Sequence, residues 1–429
     1  MHHDRPCDET CIDTLANGVR VLTIDMPQLE TACVSVYVRA GSAHESRVGN
    51  GISHVVEHMA FKGTVTRDAQ RINYDAECLG ADVNAHTDKD HTAYHMRGLA
   101  RDAEAFVRML GDIVRQPTFP RDELESERQV LLQEFAEDDD DPMVTAFKLF
   151  DRACYGLHPV AQPVIGTRAN LERFTREDLL DHVHRLYSGS NIIVAAAGRV
   201  DAAAIARAAE QAFAGLPCGT PNRVASPPYV GDVRTRAMAG TRQTHVVLGF
   251  PLAPAGADDV AGAVAAAVLG EGMSSPLMQE LREKRGLAYY AACSADVFET
   301  HGQFVIEASM APERLNELVE QCTRLLLAQA QAVSLQDLDR ARNQLRVRRL
   351  RMLEKPARRL EQAALDLFAL GRVRDHASWL GRIDALGAEA VRGCFESLLN
   401  QRASLAVTGR LARGVRQHLR ERLPQPRQR

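Results

Sequence analysis

Two histidines and a glutamate fall within five residues, as His54, Glu57 and His58 in the stretch Gly51-Ile-Ser-His-Val-Val-Glu-His-Met-Ala-Phe-Lys-Gly-Thr64. On a helix, a spacing of four puts both imidazoles on one face, about one turn apart, which suits two ligands on one tetrahedral zinc ion. Glu57 projects from a neighbouring face. It can approach an open coordination position without ligating, which is the place of a general base acting on metal-bound water. The competing reading is a pair of solvated or core histidines on an amphipathic helix. Gly49-Asn50-Gly51 precedes the segment, Gly63 can end it, and Ile52, Val55, Val56 and Met59 supply an apolar face.

A zinc site with an open position needs a third protein ligand. The acidic segment from Asp122 to Phe135 offers Glu123, Glu127 and Glu134, which share one helical face. Periodicity does not choose among them, and a solvated helix acid is the commoner fate of a glutamate. The run from Glu137 to Asp141 reads as a solvated charge run that also eases the start of a helix at Pro142.

These residues need a scaffold. Alternation and turn signals predict strands over 19–26, 32–39, 80–86, 90–97 and 191–197, with helices over 50–62 and through most of 99–187. The second half repeats the order, with strands over 243–250, 287–296, 301–309 and 403–408. Ile192-Ile-Val-Ala-Ala-Ala-Gly198-Arg199 is matched by Ala403-Ser-Leu-Ala-Val-Thr-Gly409-Arg410 at an offset of 211. Phe119 to Arg128 is matched by Val333 to Arg342 at an offset of 214. Near-constant offsets predict a duplicated domain. Between the copies, residues 214–232 hold four prolines and three glycines, a density that no helix or long strand tolerates. The expected organisation is therefore a domain over 1–215, a linker over 216–232 and a homologous domain over 233–429. Each is α+β, a mostly antiparallel sheet covered by helices.

The 429 residues are 45% hydrophobic and 25% charged, with a net charge of -4. This balance gives no reason to expect nucleic acid or an anionic membrane as partner. No apolar run reaches the length of a membrane span. The stretch Met1 to Thr10 has no apolar core and reads as neither a secretory nor a transit signal, so a cytoplasmic location is expected. Nine scattered cysteines without a CxxC pair argue against a disulfide framework and read mostly as small buried hydrophobes.

His54-x-x-Glu57-His58 is the inverted zincin motif, and residues 51–64 resemble the signature of the pitrilysin/insulinase peptidases, in particular their short, mitochondrial-processing-peptidase-like branch. In that family a glutamate about 76 residues after the second histidine completes the metal site, a spacing that falls on Glu134, and a supporting glutamate seven residues earlier falls on Glu127. The resemblance thus implies His54, His58 and Glu134 as ligands of one zinc ion per chain, with Glu57 as base. It extends to Gly272 through Tyr289, where it implies that Arg282 and Tyr289 reach the substrate. An Arg can hold a substrate carbonyl, and a Tyr hydroxyl can donate to a developing oxyanion. Pro276 stands where the family pattern has Arg, and it suits a first helical turn. Asn84-Ala85 resembles the edge strand on which substrate backbone is added. His86, His91 and His95 read as surface or supporting residues and not as further ligands, and His182 and His184 as helix surface.

At the 214 offset Glu134 corresponds to Arg348 and Glu127 to Ala341, and the motif falls near Leu269 to Gly272, without histidine. Only the first half can hold the metal. The family further implies a clamshell around an internal chamber, unfolded peptides as substrates of a zinc endopeptidase, and assembly from two chains. A homodimer is expected, with a heterodimer with a related chain as the other form. The alternative function is a non-catalytic, peptide-binding or scaffolding subunit.

Overall fold

The computed structural model describes residues 10–423, so the N-terminal stretch read above for targeting lies almost wholly outside it. Eleven strands form two sheets among the described residues. The first contains β1 (Thr10–Thr14), β2 (Arg20–Asp25), β3 (Thr31–Val38), β4 (Asp82–Thr87), β5 (Thr92–Leu99) and β6 (Ile192–Gly198), in the order β1-β2-β6-β3-β5-β4. The second contains β7 (Val233–Ala237), β8 (Thr244–Leu252), β9 (Ala288–Val297), β10 (Gly302–Met310) and β11 (Ser404–Gly409), in the order β7-β11-β8-β10-β9. Apart from β1 the two orders correspond strand for strand. Each sheet has one parallel pairing, β2 with β6 and β7 with β11, and is otherwise antiparallel. The α+β class and the duplication are both present.

The strand expectations hold to within a few residues. Two strands were not foreseen, β1 and β7. Both are edge strands, and their sequences Thr-Cys-Ile-Asp-Thr and Val-Arg-Thr-Arg-Ala put few side chains in the core, so no apolar alternation marks them. Residues 216–232 carry neither helix nor strand, as their prolines dictate.

The chain forms two compact units, and they exchange segments. The first comprises Met1–Phe135, Pro163–Val224 and Met352–Phe368; the second comprises Ala136–Gln162, Ala225–Arg351 and Ala369–Arg429. The helix Pro142–Tyr155 thus belongs with the second sheet, where Thr408 Oγ1 donates to the Pro142 carbonyl at 2.6 Å. Most of the helix Pro356–Leu370 belongs with the first, where Arg20 Nη1 donates to the Leu367 carbonyl at 2.8 Å and the Arg39 guanidinium lies 4.9 Å from the Phe368 ring centre. Both helices start on a proline, and the two prolines are 214 residues apart, the repeat offset. The domain limits expected at 215 and 233 follow chain order, whereas packing moves one helix of each half into the other unit.

Each unit has its own apolar core. In the first, β3 and β6 are almost wholly buried, and the helix Ala103–Arg115 lies across the sheet. Gly111 lets that helix approach its neighbour closely, since a Cβ there would stand 2.8 Å from the Ala212 Cβ.

Candidate metal centre

His54, Glu57 and His58 lie on the helix Ile52–Ala60. Ile52, Val55, Val56 and Met59 anchor it in the core, as their periodicity predicted, and full burial of such side chains contributes roughly 1.5–3 kcal/mol each. Its start is built by two features. Gly51 sits at φ +101°, a left-handed conformation, and a Cβ there would meet the Gly166 Cα at 2.8 Å. The buried Glu45 carboxylate accepts from the Gly51 and Ser53 amides at 2.7 and 2.8 Å and from Asn50 Nδ2 at 3.0 Å. Glu45 thereby satisfies amides that the first helical turn leaves without partners. No sequence signal singles it out.

The helix Arg121–Asp140 brings in the acids. Glu134 faces both imidazoles, with Oε1 3.7 Å from His54 Nε2 and Oε2 3.6 Å from His58 Nε2. Glu127 lies behind His58, its Oε1 2.8 Å from His58 Nδ1, while its Oε2 meets Lys62 Nζ at 2.5 Å. Glu123 is not in the cluster of metal-ligating groups formed by His54, His58 and Glu134. The choice that periodicity left open is thus made by packing.

These residues fit a zinc ion. Bonds of about 2.1 Å in a tetrahedron separate ligand atoms by about 3.4 Å, close to the 3.6 and 3.7 Å found here. A Glu127 carboxylate on Nδ1 fixes the His58 tautomer with its Nε2 lone pair toward Glu134. Burial, and next the neighbouring His58, lower the His54 pKa to about 4, so that ring stays neutral and able to ligate. Burial opposes protonation of His58 too, but the Glu127 hydrogen bond and the Glu57 and Glu134 charges outweigh it and raise its pKa. A cation at Nε2 therefore competes with a proton.

Glu57 is held by Thr87 Oγ1, which donates to its Oε2 at 2.9 Å. Burial raises the Glu57 pKa, against the Thr87 hydrogen bond and His58, and Glu134 adds to the rise. A carboxylate made more basic in this way is suited to accept a proton near neutral pH. Thr87 ends β4, and its role was not foreseen.

β4 is one edge of its sheet, paired only with β5, and Asn84 is exposed there with Oδ1 accepting from the Ala85 amide at 2.8 Å. In the second unit the Arg282 guanidinium lies 5.4 Å from the Tyr289 ring centre, and Tyr289 is 80% exposed. Ser275 caps the short helix that Pro276 opens, so the proline occupies the first-turn place expected of it. One histidine expectation is corrected. His182 is buried, not on the surface, because its helix turns that face onto Ser53, whose Oγ lies 3.2 Å from His182 Nε2. His91 is likewise buried, beneath His86. His184 is exposed, as expected. Of the eight described cysteines, all free, four are buried and two exposed.

Comparison with known proteins places this arrangement. Residues 20–168 match the model described as insulinase (peptidase family M16), and residues 173–345 the model described as peptidase M16 inactive domain. An uncharacterized zinc protease of Rickettsia felis is 32% identical over 84% of this chain and 88% of its own length. The chain belongs to the M16 family. Other M16 relatives include an uncharacterized zinc protease of Mycobacterium leprae, 32% identical over 93% of this chain and 91% of its own, and YmxG of Bacillus subtilis, 28% identical over 92% and 97%. The fold recurs in a peptidase M16 inactive domain structure from Pseudomonas fluorescens, with a TM-score of 0.86 and 22% identity over 94% of this chain and 98% of that one. A protease from Helicobacter pylori gives a TM-score of 0.86 at 20% identity over 94% and 99%. His54, His58 and Glu134 all fall in the segment matched by the insulinase model. No helix among the described residues is long and apolar enough to cross a membrane.

Proposed function

We propose that this M16 protein is a zinc-dependent endopeptidase acting on unfolded peptides. The observation that carries the reading is the convergence of His54, His58 and Glu134 beside a half-buried Glu57 that stands outside the cluster of ligand groups. Zinc held there would supply a Lewis acid that polarises a peptide carbonyl and acidifies water. Glu57, with Oε2 fixed by Thr87, takes a proton from the attacking water and returns it to the leaving amine. Glu127 orients His58 and is itself neutralised by Lys62. The edge at Asn84-Ala85 binds the peptide backbone as an added strand, and Arg282 and Tyr289 contact the substrate and steady the tetrahedral intermediate. The working form is a dimer of two such chains.

A second reading, a non-catalytic subunit, is favoured by the description of the model matching 173–345 as an inactive domain. That segment excludes the whole cluster at 54–134. Zinc content and cleavage of an unstructured peptide by the purified protein, beside Glu57→Gln, separate the two. The enzyme reading expects zinc in both and a loss of cleavage of about 10²–10⁴-fold in the variant. A wild type without zinc, or a variant that cleaves normally, sinks it.

A further inference from the structure

A second group of metal-ligating side chains lies in the first unit, outside the centre described above. His86 is on β4, His91 lies in the turn to β5, and Glu361 comes from the helix Pro356–Leu370. His86 Nε2 is 3.3 Å from His91 Nε2 and 3.6 Å from Glu361 Oε1. All three ligand atoms lie within 4.8 Å of one another.

Ligand atoms about 3.4 Å apart suit a tetrahedral ion with bonds of about 2.1 Å, and this cluster meets the spacing as closely as the first. The two rings stand nearly perpendicular, at 88°, so their Nε2 atoms converge from different directions. Glu361 is already oriented, because Arg358 Nη1 holds its Oε2 at 3.0 Å and leaves Oε1 toward His86. His91 is only 2% exposed, which fixes its ring, whereas the His86 side chain is 40% exposed and opens on a cleft of about 940 Å³. That cleft gives a cation a way in and room for a water as fourth ligand. Two imidazoles with one carboxylate favour zinc and its borderline neighbours over calcium or magnesium, which take oxygen ligands.

We propose that His86, His91 and Glu361 form a second binding site for a divalent transition-metal cation, distinct from the site at His54, His58 and Glu134. Its ligands come from the edge strand, from the turn that follows it and from a helix in the second half of the chain. A bound cation ties that helix to β4, next to Thr87, the residue that holds Glu57. The site is a staple on the edge strand beside the proposed base, and it performs no bond-making step.

Metal-free full-length protein titrated with Co²⁺ or Zn²⁺ alone, followed by calorimetry and by the visible absorption of bound Co²⁺, tests this. The wild type binds two equivalents. Glu134→Gln loses one and keeps the other, and so reports on the first site alone. His86→Asn combined with Glu361→Gln loses one equivalent and keeps the first; both residues are partly exposed, so this variant avoids emptying the buried position of His91. In the Glu134→Gln background, zinc still raises the melting temperature, and adding the His86/Glu361 changes abolishes that rise. The proposal is overturned if Glu134→Gln binds no metal, or if the His86/Glu361 variant binds as many equivalents as the wild type. If the first site holds no metal, the wild type and Glu134→Gln each bind one equivalent and the His86/Glu361 variant binds none, so the two assignments fail independently.

Discussion

The two units share a strand order, yet the helix that follows the long central strand differs completely between them. In the first it is Ile52–Ala60, with two histidines and a glutamate; in the second it is Ala261–Gly270, Ala-Gly-Ala-Val-Ala-Ala-Ala-Val-Leu-Gly, almost wholly buried and without a polar side chain. The constant offset had put the counterpart of the motif at Leu269 to Gly272, but element order puts it on this whole helix, because the connection after β8 is shorter than that after β3. Where Glu134 faces two imidazoles, Arg348 pairs with Glu271 at 3.0 Å; where Glu127 meets His58, Ala341 is buried in the core. Buried imidazoles and carboxylates cost free energy unless they are partnered. The second unit shows that the counterpart helix packs well with none. The first uses Glu127, Lys62 and Thr87 to partner them, and a polar network that packing does not demand is where function is to be sought.

The comparison can be broken in several places. The largest effect is expected at Glu134→Gln, which should shed the first-site metal and abolish cleavage, whereas Glu127→Gln should weaken metal binding by about 10–100-fold; equal losses in a metal assay would erase the distinction between ligand and support. Next, Leu269→Ala in the apolar counterpart helix should cost about 2–5 kcal/mol in urea denaturation and leave metal content unchanged. A drop in bound metal there would tie the second helix to the site. Arg282→Ala and Tyr289→Phe should slow peptide cleavage by about 10–10³-fold with full metal content; unchanged kinetics would remove the second unit's share in catalysis.

The smallest effect concerns acid. Burial, with Arg185 and His44 adding to it, lowers the His182 pKa to about 3. An unfolded histidine titrates near 6.5. Between these values the unfolded chain binds a proton that the folded chain refuses, so stability falls as pH drops from about 6.5 toward 3, by about 1.4 kcal/mol per pH unit. His182→Asn should flatten that slope by one proton. Denaturation curves between pH 4 and 7 with equal slopes for both proteins would refute it.

Local pattern made much of this legible. β3 announces itself by alternating valines and β6 by a continuous apolar run, whereas the edge strands β1 and β7 do not, because most of their side chains face solvent. The motif at 54–58 is readable because a helix converts a spacing of four into a shared face. The pairing of that face with Glu134 came from a family resemblance, not from periodicity, which offered Glu123 and Glu127 equally.

By itself, then, the sequence determined the helix with its two imidazoles, the duplication, and the restriction of that histidine pair to one copy, since each follows from residue types at fixed local spacing. Only the tertiary structure decided that Glu134 and not Glu123 closes the cluster, that Glu45 and Thr87 support it, that His182 is buried, and that the helices Pro142–Tyr155 and Pro356–Leu370 are exchanged between units. The His86, His91 and Glu361 cluster is the extreme case, because its third member is separated from the others by most of the chain. Faces are encoded by periodicity along a helix or strand, but which faces meet is settled by packing between segments far apart in sequence, and no local spacing carries that information.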